Sequence, residues 1–288
     1  MTSLKQFFYL LRFSHWTKSA FVFLGVIYSG TLEYLVDAIL AALSFCLIAS
    51  AVYIYNDFQD MEEDRLHPHK RLRPLASGEI SLDIAFGTLI MLLLVGLLIA
   101  WSVSMTLAVI LAVYLLVNLA YNHLLKSIPI LDVLCIASGF MLRVLAGTIG
   151  IGLPISWWLT ITATLVSLLI ALGKRRLEKQ LGLSYDTRPV LKKYSTKTLD
   201  YLINGVAISC FIAYLLYTII VHDEAFYFLL TLPFAAIGLW RFAWFTRQDS
   251  PSDDPISLFF GDNLSRFNLL CFVLLTLVAL SPVAALNP

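Results

Sequence analysis

The stretch AALSFCLIASAVYIYNDFQDMEEDRLHP, from Ala41 to Pro68, joins a largely apolar run to a dense series of charged residues. The apolar part is close to the length that a helix needs to cross a bilayer, about 20 residues. The charged part follows without a helix-breaking residue before Pro68. The stretch therefore predicts a membrane helix whose end carries acidic side chains into water.

Composition places the whole chain in the same class. It has 288 residues, of which 59% are hydrophobic and 14% are charged, and its mean hydropathy is +0.83. A soluble globular domain carries about 25% charged residues, so this chain is solvated mostly by the lipid bilayer. The net charge of +1 is uninformative as a total, and no nucleic-acid partner is expected.

The apolar runs predict an all-α integral membrane protein with nine transmembrane helices in one membrane-embedded domain over residues 1–288. Before the first span, residues 1–18 interleave basic and aromatic residues and lack the small-residue cleavage site of a signal peptide. This pattern favours a cytoplasmic amphipathic lead-in on the membrane surface. The predicted spans are 19–36, 38–56, 82–101, 103–121, 130–149, 155–173, 199–220, 224–246 and 266–286.

The basic residues are distributed on one side of this arrangement. All 20 Lys and Arg residues fall at or toward one face, most of them in the long loops 57–81, 174–198 and 247–265. Because Lys and Arg are enriched in cytoplasmic loops, the N-terminus and these loops are predicted to be cytoplasmic and the C-terminus to be outside. The expected location is a cell inner (plasma) membrane.

Acidic residues recur at helical spacing at the start of the first long loop. If the helix continues past the membrane edge, Asn56, Asp60 and Asp64 recur at i, i+4 and i+8, and Asp57 lies three residues before Asp60. Carboxylates this close repel one another unless a cation joins them. Magnesium prefers oxygen ligands and commonly bridges one or two carboxylates to substrate phosphates. These four residues are therefore the predicted Mg²⁺ ligands, and the three aspartates are the predicted catalytic residues.

Basic residues follow the acids within the same loop. Lys70 and Arg73 are suited to neutralising phosphate oxygens. Acids for a metal, followed by bases for phosphate, describe a clamp for magnesium and a diphosphate. The alternative is a solvated loop with interspersed charges, to which Glu62 and Glu63 are assigned.

Two further polar clusters are predicted at the same side of the membrane. In YNHLLKSIPILD, Tyr121, Lys126 and Asp132 are candidate substrate-binding residues, although a Lys at a membrane edge commonly just extends to water. In GKRRLE, Lys174 and Arg175 lie nearest the membrane boundary, and the other basic residues there are expected from topology alone.

Arg143 is predicted to lie well inside the bilayer, because it follows Asp132 by eleven residues on a helix that rises about 1.5 Å per residue. A charge there usually faces a polar cavity or a partner. Arg143 is therefore a candidate substrate-binding residue. A structural arginine paired with Asp132 or with backbone carbonyl groups is the alternative.

These motifs resemble those of a known superfamily. NDFQDMEEDRLHPHKRLRP is similar to the NDxxDxxxD signature of the UbiA-type intramembrane prenyltransferases, which bind Mg–diphosphate. YNHLLKSIPILD, ASGFMLRVLAG and GKRRLE are similar to stretches of one branch, the decaprenyl-phosphate (polyprenyl-phosphate) phosphoribosyltransferases. The likeness extends over almost the whole chain, and the first motif is the specific one for the superfamily.

The resemblance implies a nine-helix bundle around a central cavity that opens to the cytoplasm and the membrane. It implies a Mg²⁺-dependent transferase for cell envelope biosynthesis, with 5-phosphoribosyl-1-diphosphate as donor and a polyprenyl phosphate as acceptor. The products would be polyprenyl-phosphoryl-5-phosphoribose and diphosphate. Carried over residue by residue, Asn56 and the three aspartates would hold the metal and the donor diphosphate. The phosphate-binding cations would be Lys70, Arg73, Lys126, Lys174 and Arg175.

Two other functions remain open at this point. A conventional prenyltransferase of the same superfamily would use the acidic motif to move a prenyl group from prenyl diphosphate to an aromatic or other small acceptor. A membrane transporter would suit the many spans and Arg143, but transporters often place broken helices near the midplane, whereas these charges gather at one mouth. The residues also leave open whether the protein is a homo-oligomer.

Overall fold

The computed structural model describes residues 4–66, 70–155, 157–181, 190–220, 226–249, 252 and 254–280. Within these ranges the chain is helical and contains no β-strand. Residues 67–69, 182–189, 250, 251 and 253 of the predicted loops lie outside the described ranges. The α-helices are α1 Leu4–Leu11, α2 Leu24–Ser29, α3 Leu35–Gln59, α4 Met61–Leu66, α5 Leu82–Val103, α6 Met105–His123, α7 Leu131–Ala146, α8 Trp157–Gln180, α9 Val190–Lys193, α10 Thr196–Ile220, α11 Phe226–Leu229, α12 Leu232–Phe245, α13 Pro255–Gly261 and α14 Asn263–Ala279. Short 3-10 helices occupy Phe13–Phe23, Leu32–Tyr34, Lys70–Leu72, Leu125–Ser127 and Ile149–Ile151.

The prediction of an all-helical, multi-pass membrane protein is confirmed. In the described residues, seven helical segments are long and apolar enough to cross a membrane, and up to eight if the bent pair α13–α14 forms one span. The predicted count of nine is therefore not confirmed. The predicted last span, 266–286, runs past residue 280 and so lies partly outside the described ranges.

The first predicted span, 19–36, is divided into several short pieces. The chain forms the 3-10 helix Phe13–Phe23 and then α2, which ends at Ser29 and is followed by Gly30 with φ of 67°. Glycine adopts this left-handed conformation without the steric cost that a Cβ imposes, and it commonly ends helices. The first segment that qualifies as a span then begins at Leu32 and ends with α3 at Gln59. A hydrophobicity count alone does not register this break.

One compact unit contains residues 1–124 and 142–155. Its helices α3, α5 and α6 pack around apolar side chains that include Phe45, Ile48 and Leu107. Ser104 alone separates α5 from α6, and its hydroxyl accepts a hydrogen bond from the N–H of Leu107, which caps α6. The side chain of Asn122 on α6 donates to that of Asn56 on α3. The C-terminal ends of α3 and α6 therefore lie side by side.

The second compact unit contains residues 125–141 and 156–288. Helices α8 and α10 pack along each other around an apolar cluster that includes Leu172 and Ile203. Arg176 at the end of α8 pairs with Asp200 at the start of α10, with 2.9 Å between Nε and Oδ1. The end of α8 therefore lies beside the start of α10, and the sequence places most basic residues of this unit there.

Candidate active site

The acidic motif occupies the junction between α3 and α4. Asn56 and Asp57 lie in the last turn of α3, and Asp60 follows its final residue. The N–H of Asp60 donates to the carbonyl of Asn56 at 2.9 Å, and the N–H of Asp64 donates to the carbonyl of Asp60 at 2.8 Å. These two backbone hydrogen bonds continue the helical pattern across the break between α3 and α4. Asp57 and Asp64, on either side of the break, form ion pairs with the same residue.

That partner is Arg73, in the first unit. Its Nη1 lies 3.1 Å from Oδ1 of Asp57 and 2.6 Å from Oδ2 of Asp64. The Nζ of Lys70 lies 3.8 Å from Oδ1 of Asp64. Both carboxylates are almost fully buried, at 3% and 2% exposure, while the two cations are about one-third exposed. The structure thus brings together most of the acids and bases that the sequence predicted to form a clamp.

Arg12 is a member of this site that sequence reasoning missed. Its guanidinium forms an ion pair with Asp57 and lies 4.8 Å from the centre of the Tyr53 ring. Arg12 has φ of 50°, which is uncommon for a residue with a side chain. The hydroxyl of Ser50 donates to the carbonyl of Leu11 at 2.8 Å, which fixes this segment on α3. We call Asp57, Asp64, Arg12, Lys70 and Arg73 the aspartate cluster.

The remaining predicted residues of this unit lie beside the cluster or deeper in the helices. Asn56 accepts a hydrogen bond from Asn122, and Tyr121 is half-buried one residue earlier on α6. Asp60 is half-buried. The exposed side chains of Glu62 and Glu63 agree with their assignment to the solvated face.

Arg143 lies on α7 and is 4% exposed. Its guanidinium carbon is 4.5 Å from the centre of the Phe45 ring and 5.4 Å from that of Tyr114. Aromatic faces attract a cation, and the attraction is stronger where water is excluded. Two aromatic rings therefore lie against the buried charge of Arg143.

The donor atoms of the aspartate cluster fit a magnesium ion shared with a ligand. Two buried carboxylates already direct oxygen atoms at one cationic nitrogen, and Mg²⁺ usually takes one or two carboxylates together with substrate phosphates. Among the described residues, no group of three or more His, Cys, Asp or Glu side chains forms a metal site by itself. The arrangement therefore suits a metal ion that is coordinated jointly by these carboxylates and by the phosphate oxygens of a substrate, and it suits less well a metal ion held by protein ligands alone.

The second unit contains a separate buried network. Asp132, at the start of α7, accepts from Nε of Arg175 at 2.7 Å and from the hydroxyl of Tyr194 at 2.6 Å. Arg175 also donates from Nη1 to Glu178 at 2.8 Å. Arg175 is 2% exposed and Asp132 is fully buried. We call these four residues the Tyr194 network, and its two members that the sequence did not single out as candidates are Tyr194 and Glu178.

The two predicted lysines of this unit lie closer to solvent. Lys126 is exposed on the 3-10 helix Leu125–Ser127, and Lys174 is half-buried on α8. Lys193, the last residue of α9, donates to the carbonyl of Ser127 at 3.1 Å, which ties the end of α9 to the turn that carries Lys126. These lysines have the exposure that a phosphate-binding cation needs, whereas Arg175 is enclosed by carboxylates.

Comparison with known families identifies the chain. The model of the UbiA prenyltransferase family matches residues 19–264, which is most of the chain. The chain belongs to the UbiA prenyltransferase family. The matched residues include the aspartates and cations of α3, α4 and the following loop.

Two curated proteins that are similar to this chain in sequence have the same name. The decaprenyl-phosphate phosphoribosyltransferase of Corynebacterium glutamicum is 33% identical over 175 residues, covering 58% of this chain and 53% of the relative. The protein of the same name from Mycolicibacterium smegmatis is 32% identical over 212 residues, covering 69% of this chain and 66% of the relative. The chain thus spans about half to two-thirds of the length of these relatives.

Solved structures of UbiA proteins share the fold. A UbiA homolog from Archaeoglobus fulgidus, bound to DMAPP and Mg²⁺, matches 96% of this chain and 98% of its own, with a TM-score of 0.72 and 17% identity. A digeranylgeranylglyceryl phosphate synthase matches 97% of this chain and 98% of its own, with a TM-score of 0.68 and 19% identity. At these identities the likeness shows a common fold.

Proposed function

We propose that this protein is a Mg²⁺-dependent transferase that moves 5-phosphoribose from 5-phosphoribosyl-1-diphosphate to a polyprenyl phosphate. The products are polyprenyl-phosphoryl-5-phosphoribose and diphosphate. The observation that carries the proposal is the aspartate cluster, in which the partly exposed Arg73 contacts the two buried carboxylates of Asp57 and Asp64. The names of the relatives at 32–33% identity support phosphoribose as the transferred group.

The aspartate cluster suits the donor diphosphate for electrostatic reasons. Asp57, Asp60 and Asp64, with the amide of Asn56, would hold the magnesium ion, which when bound neutralises charge on the leaving diphosphate. Arg73 and Lys70 would turn from the carboxylates to the diphosphate oxygens, since phosphate is as good a partner for a guanidinium as carboxylate is. The buried carboxylates then remain compensated when the donor binds.

The transfer itself needs little proton chemistry. An oxygen of the polyprenyl phosphate forms a bond to C1 of the ribose while the bond from C1 to the diphosphate oxygen breaks, and the electron pair leaves with diphosphate. The attacking phosphate is already anionic, so no catalytic base is required. The task of the protein is to hold two anions close together against their repulsion, which cations such as Lys126 and Lys174 would accomplish.

We also propose that this chemistry occurs at the cytoplasmic side of a cell inner membrane. Within the first unit, the aspartate cluster lies at the end of α3, next to the loop that carries Lys70, Arg71 and Arg73. Within the second unit, Lys174 and the basic residues after it follow the apolar part of α8. Positive residues are enriched on the cytoplasmic side, and both groups follow this rule.

The decisive experiment identifies the lipid product. Purified protein is incubated with Mg²⁺, polyprenyl phosphate and 5-phosphoribosyl-1-diphosphate, and the extracted lipid is analysed by mass spectrometry. The expected product is heavier than the acceptor by one phosphoribosyl group, and it is lost when EDTA removes the metal. Recovery of unmodified polyprenyl phosphate from folded protein would refute the proposal.

A conventional prenyl transfer is the second candidate. The likeness of the fold to a UbiA homolog bound to DMAPP and Mg²⁺ favours it, and the aspartate cluster suits any diphosphate. A parallel incubation with a prenyl diphosphate and an aromatic acceptor distinguishes the two functions. A prenylated aromatic product, with no phosphoribosyl lipid, would establish this alternative.

A further inference from the structure

Ile130 has an unusual backbone conformation. Its φ is 72°, in the left-handed region that β-branched residues rarely occupy. The residue lies between the 3-10 helix Leu125–Ser127, which carries Lys126, and the start of α7, which carries Asp132. Its side chain is 50% exposed, so packing of that side chain does little to hold the conformation. A different contact must stabilise this corner.

The hydroxyl of Tyr194 provides that contact. It accepts a hydrogen bond from the N–H of Ile130 at 2.6 Å and donates one to Oδ1 of Asp132 at 2.6 Å. Tyr194 is 4% exposed, so these bonds are shielded from water. Burial, followed by the hydrogen bond to Asp132, raises the pKa of the Tyr194 hydroxyl, which therefore remains a proton donor.

We propose that Tyr194 is a positioning residue that holds the corner of residues 125–132 in its left-handed turn and so sets Lys126 for the phosphate-bearing donor. The inference rests on the proposed function for the identity of that donor. One oxygen of Tyr194 joins the strained residue to Asp132, which is itself fixed by Arg175. Residues held in strained conformations persist only where their surroundings enforce them, and such strain often occurs at functional sites.

The proposal predicts a rescue that depends on backbone conformation. Without the hydroxyl in Tyr194→Phe, Ile130 can relax to negative φ and displace the turn. Glycine adopts positive φ without steric cost, so Ile130→Gly should keep the turn even in the absence of the hydroxyl. Ile130→Ala removes the same exposed side chain but keeps the Cβ and its strain, so it should not rescue. The exposed Tyr201 on α10 supplies the matched control, Tyr201→Phe.

The experiment measures initial rates at varied 5-phosphoribosyl-1-diphosphate with saturating polyprenyl phosphate and Mg²⁺. Tyr194→Phe is expected to raise KM for the donor about tenfold, with a smaller change in kcat, because a hydrogen bond to a charged group is lost with the turn. Tyr194→Phe with Ile130→Gly should recover most of that loss, whereas the combination with Ile130→Ala should not. Tyr201→Phe should match the wild type.

Three outcomes separate the possibilities. An unchanged KM for the donor in Tyr194→Phe overturns the proposal. A further rise in KM when Ile130→Gly is added to Tyr194→Phe also overturns it, because that pattern indicates a merely structural role for Tyr194. Thermal denaturation of each variant establishes that the protein is folded. If the wild type uses prenyl diphosphate and not the phosphoribosyl donor, the proposed function fails. The same variants measured with prenyl diphosphate then decide the role of Tyr194 independently.

Discussion

The aspartate cluster and the Tyr194 network use similar charged groups in opposite ways. In the aspartate cluster, buried carboxylates face cations whose side chains are 21–31% exposed. In the Tyr194 network, Arg175 is 2% exposed and binds two carboxylates. A partly exposed cation can exchange one anionic partner for another at small cost, whereas a fully buried one cannot leave without stranding a buried charge. The first arrangement can accept a ligand, and the second holds helices in position.

The largest expected effect tests whether the Tyr194 network stabilises the fold. Arg175→Leu removes the shared partner of Asp132 and Glu178 and leaves both carboxylates buried. Breaking a buried pair in this way typically lowers the free energy of unfolding by about 3–5 kcal/mol. Denaturation in detergent micelles measures the change.

Arg73→Leu provides the matched comparison in the aspartate cluster. Arg73 is 29% exposed, and its carboxylates keep Arg12 and Lys70 as partners. We therefore expect a stability loss of about 1 kcal/mol or less, with a large loss of activity. Equal destabilisation by the two substitutions would show that exposure does not separate the two groups.

The second prediction tests the ligand-binding half of the comparison. Asp64→Asn keeps the shape of the side chain but removes the charge that meets Arg73 and would meet the metal. Changes merely next to a metal ligand commonly cost about 10–100-fold in affinity or activity, so we expect kcat/KM to fall at least about a hundredfold while the protein stays folded. Initial rates across a Mg²⁺ titration measure this. Glu63→Gln, at the exposed preceding residue, should leave the rate unchanged, and full activity in Asp64→Asn would contradict the proposed site.

Much of the fold was predictable because helical spans depend on local apolar length. The predicted spans 82–101 and 103–121 correspond to α5 and α6, although the single residue between the two helices is Ser104 and not Ser102. The first predicted span, 19–36, is not one continuous helix, because its breaks arise from Gly30 and a 3-10 segment, which an average over apolar residues does not register.

The candidate site was predictable only where its residues are close in sequence. Asp57, Asp64 and Arg73 lie within 17 residues, so helical spacing and charge indicated a common site. Arg12 and Tyr194 reach their partners from 45 and 62 residues away. The only local signals were an arginine directly before a phenylalanine and a tyrosine directly after two lysines, and neither specifies a distant partner.

The third prediction tests how the N-terminal segment reaches the aspartate cluster. A Cβ on Gly147 would lie 1.6 Å from the carbonyl oxygen of Val22, so the 3-10 segment can approach α7 only because this residue is glycine. Gly147→Ala should lower the free energy of unfolding by about 1–3 kcal/mol through overpacking. Gly205→Ala is the control, because a Cβ there meets nothing within 4 Å in the middle of α10. A stability loss of the same size in both variants would indicate a general sensitivity to helix glycines.

The smallest expected effect concerns Arg12, the most distant cation in sequence from the acids of its cluster. Arg12→Gln removes one of the two guanidinium groups at Asp57, but Arg73 remains, so the carboxylate is not stranded. We expect KM for the donor to rise about tenfold or less, since one charge-assisted hydrogen bond is lost. Lys5→Gln, at an exposed position on α1, removes the same charge from the N-terminal segment without touching the cluster. If both variants raise KM equally, the effect of Arg12 is that of general positive charge near the membrane surface. If Arg12→Gln alone does so, Arg12 acts through Asp57, and the partly exposed cations of the aspartate cluster extend from the loop after α4 to the N-terminal segment.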